Sequence, residues 1–276
     1  MPHFFNHVKY QHMNPTNGIQ IAIAIAINSE FQLVLDPREI ALEICYPKYG
    51  GHYSLAIALA ISNRLGIEAL QIAEKIIENC SQPEIFAQWQ IRSSDKGLLN
   101  ICLNDKYLIE SLDTLMSWQL DEEVFEISVE HCPLWQKREI YRNSSQQSPE
   151  SKEQYAHARC CALIRLINRT YKENSRYTET ISKLEPIEPE EVSLLLRNLA
   201  IADYLENENI LSATRQINNR QKLSRSLAGA FLDFYDRCRV FGVDPDAVQR
   251  RSLLIRVTQK FLVAIAPPEV NYAIYL

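Results

Sequence analysis

The segment that decides the fold of the C-terminal half is Phe234-Tyr-Asp-Arg-Cys-Arg-Val-Phe-Gly242. Its apolar residues recur every three or four positions and continue a stripe that begins at Leu227 and Phe231. This period predicts a helix with one buried face. Tyr235 and Arg239 flank the stripe and are four residues apart, so we expect both to project from one side of the helix.

A second segment, Tyr155-Ala-His-Ala-Arg159, repeats the Tyr/Arg spacing. An aromatic ring beside a guanidinium group can stack on an unpaired base and bind phosphate. The pattern therefore predicts that Tyr155, Arg159, Tyr235 and Arg239 contact RNA. The alternative is a partly exposed helix face whose tyrosines pack on neighbouring helices.

The composition is that of a water-soluble globular protein of one or two domains. Its 276 residues carry a formal charge of −5, which argues against attachment to nucleic acid over the whole surface. From residue 151 onward, 18 Lys and Arg stand against 15 Asp and Glu, a net charge of +3, while the preceding part carries −8. The basic excess thus lies with the Tyr/Arg segments.

The seven cysteines include no Cys-x-x-Cys pair, which is typical of a reducing compartment and predicts a cytoplasmic protein without structural zinc. The apolar run 19–27 is too short to span a bilayer, so we expect no membrane association. Its Ile/Ala alternation favours a strand, whereas its alanines and a potential cap at Thr16/Asn17 favour a helix.

The remaining patterns predict an α+β N-terminal domain over 1–117, a Ser/Gln/Pro-rich linker over 118–150 and an all-α helical bundle over 151–276. In the first domain we expect a strand over 40–45, a turn over 47–51 and helices over 53–65 and 67–78. One or two strands around Gly97 and a helix over 105–116 follow. The bundle is predicted to contain helices over 155–171 and 188–206, the helix of the apolar stripe, and a helix beginning at Asp244-Pro245.

Both Tyr/Arg segments resemble the anticodon-binding domain of arginyl-tRNA synthetases, the DALR-type helical bundle. That family carries Tyr-Ala-His-Ala/Ser-Arg at the start of the domain and Phe-Tyr-x-x-Cys-Arg-Val-x-Gly further on, and 234–242 matches the second motif throughout. The resemblance implies that Tyr155 and Arg159, with Tyr235 and Arg239, contact nucleotides of the anticodon loop.

The N-terminal half resembles the additional domain of the same enzymes, which binds the D-loop corner of tRNA. Pro47-Lys-Tyr-Gly-Gly-His-Tyr-Ser54 is similar to its Pro-Lys…Gly-Asp-Tyr turn, and 96–103 is similar to its Gly-Pro-Gly-Phe-Ile-Asn-Phe strand. The resemblance implies D-loop contacts by Asn104 and Tyr107, which follow this strand. The alternative, which we favour, is that Asn104 or Asp105 caps a helix and Tyr107 lies on its buried side.

The motifs of class I activation chemistry, His-x-Gly-His and Lys-Met-Ser-Lys, do not occur in the sequence. The 118–150 segment is too short for a nucleotide-binding domain, which needs on the order of a hundred residues. We therefore expect a non-catalytic protein that uses no cofactor.

Two further patterns favour structural roles. His157, Cys160 and Cys161 have metal-ligand spacing, but buried thiols in a helix are far commoner, so we expect no metal. Four basic residues are predicted to form a solvated helix face, and the alternative is that this face contacts phosphates: Arg250, Arg251, Arg256 and Lys260.

The leading hypothesis is an arginyl-tRNA-synthetase-like protein that binds tRNA, with arginine tRNA as the candidate ligand, and performs no aminoacylation. The alternative is a regulatory or scaffold module that keeps the fold, binds a protein partner and no longer binds RNA.

Overall fold

The computed structural model describes residues 15–45, 51–80, 89–117, 151–171, 187–207 and 213–266. Contacts divide the chain into two compact units, Met1–Ser111 and Leu112–Leu276. The first contains an antiparallel sheet with helices and the second is helical, which confirms the predicted fold class. The predicted domain limits at 117 and 151 stay predictions, and the 118–150 segment lies outside the described residues.

The sheet of the first unit has four strands in the order β1-β2-β4-β3: β1 Glu43–Ile44, β2 Tyr53–Leu55, β3 Trp89–Ser93 and β4 Leu99–Leu103. All neighbours are antiparallel, and Ile101 of β4 stands opposite Tyr53 on one side and Ile91 on the other. These three residues are buried. Alternate residues along β4 are buried, so one face of the sheet forms the core.

The helices of this unit are α1 Pro15–Phe31, α2 Ile57–Leu65 and α3 Ala69–Cys80, with a 3₁₀ turn at Pro37–Glu39. A fourth helix, α4 Asp105–Ser117, begins in this unit and continues past its limit at Ser111. Helix α1 packs on α3, and α3 packs on β3. Residues 19–27, left open between strand and helix, lie within α1, as their alanines favour. None of the helices that the structure describes is long and apolar enough to cross a membrane.

Two boundaries differ from prediction. Tyr53–Leu55 is a strand because it pairs with β4, so the predicted helix begins only at Ile57. The predicted 40–45 strand is reduced to Glu43–Ile44. The end of α2 is confirmed, since Gly66 adopts the left-handed conformation with φ 67° and donates to the carbonyl of Ser62.

Two strands around Gly97 are also confirmed. Gly97 has φ 80°, and a Cβ there would lie 2.6 Å from the backbone carbonyl carbon of Ala69. Only glycine therefore fits this turn against the start of α3. Of the predicted turn at 47–51, all but Gly51 lies outside the described residues.

The second unit contains α5 Lys152–Tyr171, α6 Pro189–Asn207, α7 Ala213–Arg237 and α8 Pro245–Ala264. The packed pairs among the described residues are α5/α7, α5/α8, α6/α7, α6/α8 and α7/α8. The predicted stripe is buried at Leu227, Phe231, Phe234 and Cys238. Phe241, the last stripe residue, is half-buried and stacks on Tyr171 with 6.2 Å between ring centroids.

Helix α8 begins as predicted. The Asp244 side chain accepts a hydrogen bond from the Asp246 amide at 2.9 Å, and Pro245 occupies the first turn. The apolar residues expected to be buried along this helix are all in the core: Leu254, Val257, Phe261 and Ile265.

Candidate nucleic-acid interface

A reciprocal cap fixes the start of α5. The Gln154 amide donates to Ser151 Oγ at 3.2 Å, and Gln154 Oε1 accepts from the Ser151 amide at 3.0 Å. This Ser-x-x-Gln capping box begins the helix one turn before Tyr155, earlier than predicted. The motif was readable in the sequence. Its consequence is that Tyr155 lies within a formed helix, with Arg159 one turn further along.

Three of the predicted RNA-contacting residues form one cluster, which we call the Tyr/Arg cluster: Tyr155, Arg159 and Tyr235. Arg159 Nε donates to Tyr155 Oη at 2.9 Å. The Arg159 Cζ atom lies 5.0 Å from the ring centroid of Tyr155 and 5.6 Å from that of Tyr235. The guanidinium of α5 is thus held by aromatic rings from both α5 and α7.

The cluster is anchored in the core on one side. Tyr235 stacks on Phe231, which is fully buried, with ring centroids 6.3 Å apart. Tyr155, Arg159 and Tyr235 are themselves half-buried. Packing therefore fixes the orientation of these planar groups, while part of each remains accessible to a ligand.

This arrangement combines stacking surface with hydrogen-bond donors. In the hydrogen bonds among the described residues Arg159 uses Nε only, and a guanidinium has five N–H donors in total. The remaining donors suit a phosphate or the edge of a base. The tyrosines thus pack on the bundle, as the alternative interpretation predicted, and they also contact an arginine. RNA contact by these residues stays a prediction.

Arg239 lies beyond the end of the helix that carries Tyr235. Helix α7 ends at Arg237, and the exposed Arg239 follows in the connection to α8. Its backbone carbonyl accepts a hydrogen bond from Arg251 Nη1. The prediction that Tyr235 and Arg239 share one helix face is wrong, because the helix ends between them.

The predicted solvated face of α8 is also partly wrong. Arg250 and Arg251 are buried and both pair with the fully buried Glu191 of α6. Arg250 Nε lies 2.7 Å from Glu191 Oε2, and Arg251 Nε lies 2.7 Å from Oε1. Arg256 and Lys260 are exposed, as expected.

The buried arginines could have been recognised from helical spacing. Arg250 and Arg251 precede the core residue Leu254 by four and three positions, which places them on the core face of α8. Burial of a guanidinium requires a charged partner, so an acidic residue from another helix was required. The sequence offers no way to select Glu191 among the fifteen acidic residues from 151 onward.

Cys238 lies beside this ion-pair cluster. Burial, together with the negative charge of Glu191, raises the pKa of its thiol to about 12, and the positive charge of Arg251 opposes this rise. The thiol is therefore protonated at neutral pH and contributes to packing. Its reactivity as a nucleophile is correspondingly low.

In the first unit, Asn104 caps α4. Its Oδ1 accepts a hydrogen bond from the Tyr107 amide at 2.8 Å, as the favoured interpretation predicted. Tyr107 is half-buried, and burial raises the pKa of its hydroxyl to about 12. A D-loop contact by either residue stays a prediction.

His157 is also buried, with its ring nitrogens 3.8–3.9 Å from Cys161 Sγ and with Nε2 3.2 Å from Gln259 Nε2. Burial raises the pKa of Cys161 to about 11. Among the described residues, no three His, Cys, Asp or Glu side chains form a group that could hold a metal ion.

Comparison with known families agrees with this geometry. Residues 153–266 match the model of the DALR anticodon binding domain, and residues 17–103 match the arginyl tRNA synthetase N terminal domain. The first match begins two residues before Tyr155 and includes the whole Tyr/Arg cluster. The chain is related to the arginyl-tRNA synthetases.

Similar relatives are bacterial arginine–tRNA ligases. That of Synechococcus sp. (strain JA-3-3Ab) is 33% identical over 115 residues, which cover 39% of this chain and 19% of the relative. That of Symbiobacterium thermophilum is 28% identical over 156 residues, covering 56% of this chain and 24% of the relative. The matched part is about a fifth to a quarter of each relative's length. No solved structure matches the chain.

The synthetase-related chain has little sequence between its two matched domains. Residues 104–152 separate them, and a nucleotide-binding domain would need on the order of a hundred residues. Neither matched domain is the catalytic one. The two domains flanking this interval are thus present without a catalytic domain between them.

Proposed function

We propose that this chain is a non-catalytic tRNA-binding protein whose helical unit binds the anticodon stem-loop. The observation that carries the proposal is the Tyr/Arg cluster inside a matched anticodon-binding domain. Loop bases are unpaired and can stack on a held planar group, while guanidinium donors bind phosphate. Arginine tRNA is the candidate ligand, because the relatives are arginine–tRNA ligases.

The first unit would contribute a second contact. Its match to the arginyl tRNA synthetase N terminal domain supports binding near the D-loop of the same tRNA. Asn104 and Tyr107 are the candidate residues here, at the start of α4.

We further propose that binding is not followed by aminoacylation. The absence of both ATP-binding motifs and the short interval between the matched domains support this. The protein would act in the cytoplasm. A tRNA binder without activation chemistry would there compete with other proteins for the tRNA or present the tRNA to them.

A regulatory module that binds a protein in place of RNA is the second candidate. The burial of Arg250 and Arg251 favours it, because both arginines form ion pairs in the core and are therefore not accessible to phosphate. The acidic net charge of −5 points the same way. The two candidates differ in whether purified chain binds tRNA in a salt-dependent manner.

The test uses the full chain, purified free of nucleic acid, and labelled arginine tRNA over a salt titration. Binding that weakens linearly in log–log form with salt supports the first candidate. Failure to bind at low salt contradicts it. Arginine-dependent exchange of pyrophosphate into ATP is measured in parallel, and activity above background would contradict the non-catalytic assignment.

A further inference from the structure

Besides the Tyr/Arg cluster, the helical unit carries a basic surface. Helices α5 and α8 pack on each other, and neither 154–171 nor 247–264 contains an Asp or Glu. The same two segments contain seven Lys and Arg residues. In a chain with a net charge of −5, this concentration of cations on two adjacent helices is a marked departure from the average.

Burial divides these seven residues into groups. Arg250 and Arg251 are in the core with Glu191, and Arg159 belongs to the Tyr/Arg cluster. The other four lie towards the solvent and form what we call the α5/α8 patch: Arg165, Arg169, Arg256 and Lys260. Arg165 is half-buried and the other three are exposed.

A contact between the helices joins the members of the patch. Arg256 Nη2 of α8 donates to Asn168 Oδ1 of α5 at 2.5 Å. Asn168 adjoins Arg169 and is one turn from Arg165, so both arginines of α5 lie near Arg256. Lys260 follows Arg256 by one turn on the same face of α8. The four cations therefore occupy one continuous surface.

We propose that the α5/α8 patch binds backbone phosphates of the RNA stem that adjoins the loop held at the Tyr/Arg cluster. This inference rests on the proposed RNA binding and adds a site to it. Arg159 and Arg169 are ten residues apart on α5, which is about 15 Å along the helix. This distance corresponds to several nucleotide steps of an RNA stem.

The chemistry of the two sites differs in a measurable way. Phosphate contacts carry no sequence information. On a duplex, each such contact changes the slope of log affinity against log salt concentration by about 0.9. Stacking on the Tyr/Arg cluster requires unpaired bases, which a loopless duplex does not offer. The patch should therefore bind duplex RNA, whereas the cluster should require the loop.

The test compares the full-length wild type with the double variant Arg169→Gln/Lys260→Gln. Both substitutions are at exposed positions. The matched control is Lys222→Gln/Arg225→Gln, which removes two exposed cations one turn apart on α7. Two probes are used: a stem-loop RNA and the same stem closed as a loopless duplex.

The patch variant is expected to bind both probes at least about tenfold more weakly at 0.1 M salt, with a salt slope reduced by about 1 to 2. The control variant keeps the wild-type slope. An unchanged salt slope in the patch variant would overturn the proposal that the α5/α8 patch binds phosphate. An equal loss of affinity in the control variant would overturn it as well.

The same data separate the two proposals. Stem-loop binding by the wild type without any effect of the patch variant overturns the patch and leaves the proposed function intact. Duplex binding that requires the patch, with no gain from the loop, supports the patch and contradicts binding of loop bases. Absence of binding to either probe at low salt overturns both.

Discussion

The guanidinium of Arg159 lies over the ring of Tyr235, 5.6 Å from its centroid, and so connects α5 with α7 across the bundle. On α5 the same group is hydrogen-bonded to Tyr155 Oη at 2.9 Å. A base stacked on this assembly would meet a surface that is already ordered. Binding would then cost little side-chain entropy, since the rotamers are fixed before the ligand arrives.

We predict that Tyr155→Ala and Arg159→Ala each weaken binding of an anticodon stem-loop by about 1–3 kcal/mol, because each removes a stacking surface. Tyr155→Phe keeps the ring and removes only the hydroxyl that accepts from Arg159, so its loss should be about 1 kcal/mol or less. Fluorescence anisotropy with a labelled stem-loop measures all three. Unchanged affinity in both alanine variants would remove the cluster from the interface.

A second prediction concerns the buried ion pairs. Glu191→Ala leaves Arg250 and Arg251 in the core without a counter-charge, which should lower the free energy of unfolding by about 3–5 kcal/mol. Arg225→Ala is the control, since its side chain is 78% exposed and its pair with Glu153 is long at 3.8 Å. The control should lose about 1 kcal/mol or less.

Urea unfolding followed by far-UV circular dichroism is the appropriate measurement for this comparison, because the second unit is helical. Equal losses in Glu191→Ala and Arg225→Ala would show that the buried arrangement adds nothing to stability.

Two glycines of the first unit allow a matched comparison. Gly66 and Gly97 both have positive φ, but only Gly97 has backbone, that of Ala69, within 3 Å of a built Cβ. Gly66→Ala should cost about 1–2 kcal/mol for its conformation alone. Gly97→Ala should cost a further 1–3 kcal/mol or so, because the start of α3 must move.

Tryptophan fluorescence during urea unfolding reports on this unit, since Trp89 is buried in β3. Equal costs for Gly66→Ala and Gly97→Ala would contradict the close approach of the Gly97 turn to Ala69.

The first unit should also lose stability in mild acid. His52 Nδ1 accepts a hydrogen bond from the Leu103 amide at 2.8 Å, and burial lowers the pKa of His52 below its usual value of 6.5. The unfolded chain then binds the proton more readily than the folded one. Stability is therefore full above about pH 6.5 and falls as the pH decreases from there towards the lower folded-state pKa.

His52→Gln tests this assignment, because the Gln oxygen can accept the same hydrogen bond without titrating. Urea unfolding at pH 7.5 and pH 5.5, followed by tryptophan fluorescence, should show a smaller acid loss in the variant than in the wild type. An identical pH dependence in both proteins would exclude His52 as the source.

Local patterns predicted the helices and the two strands around Gly97, but not the strand Tyr53–Leu55. Periodicity identified the α7 stripe and the start of α8, because both are set by residues close in sequence. The strand Tyr53–Leu55 was assigned to a helix, since its strand character depends on pairing with β4, more than forty residues away.

In the candidate site, too, contacts within one helix were predictable from the sequence and contacts between helices were not. Spacing on one helix gave the pair Tyr155 and Arg159, whereas the position of Tyr235 over Arg159 required the packing of α7 on α5. Arg239 was misplaced because the end of α7 at Arg237 carries no glycine or proline signal before it. The partner of the buried arginines, Glu191, is sixty residues away and no local pattern points to it.

Anticodon discrimination tests the central claim most directly. Full-length chain is titrated with purified arginine tRNA, an anticodon-substituted variant of the same tRNA and an unrelated tRNA at one salt concentration. We predict tighter binding of arginine tRNA than of the other two, and loss of that preference in Tyr155→Ala. Equal affinity for all three tRNAs, or no binding at low salt, would contradict the account.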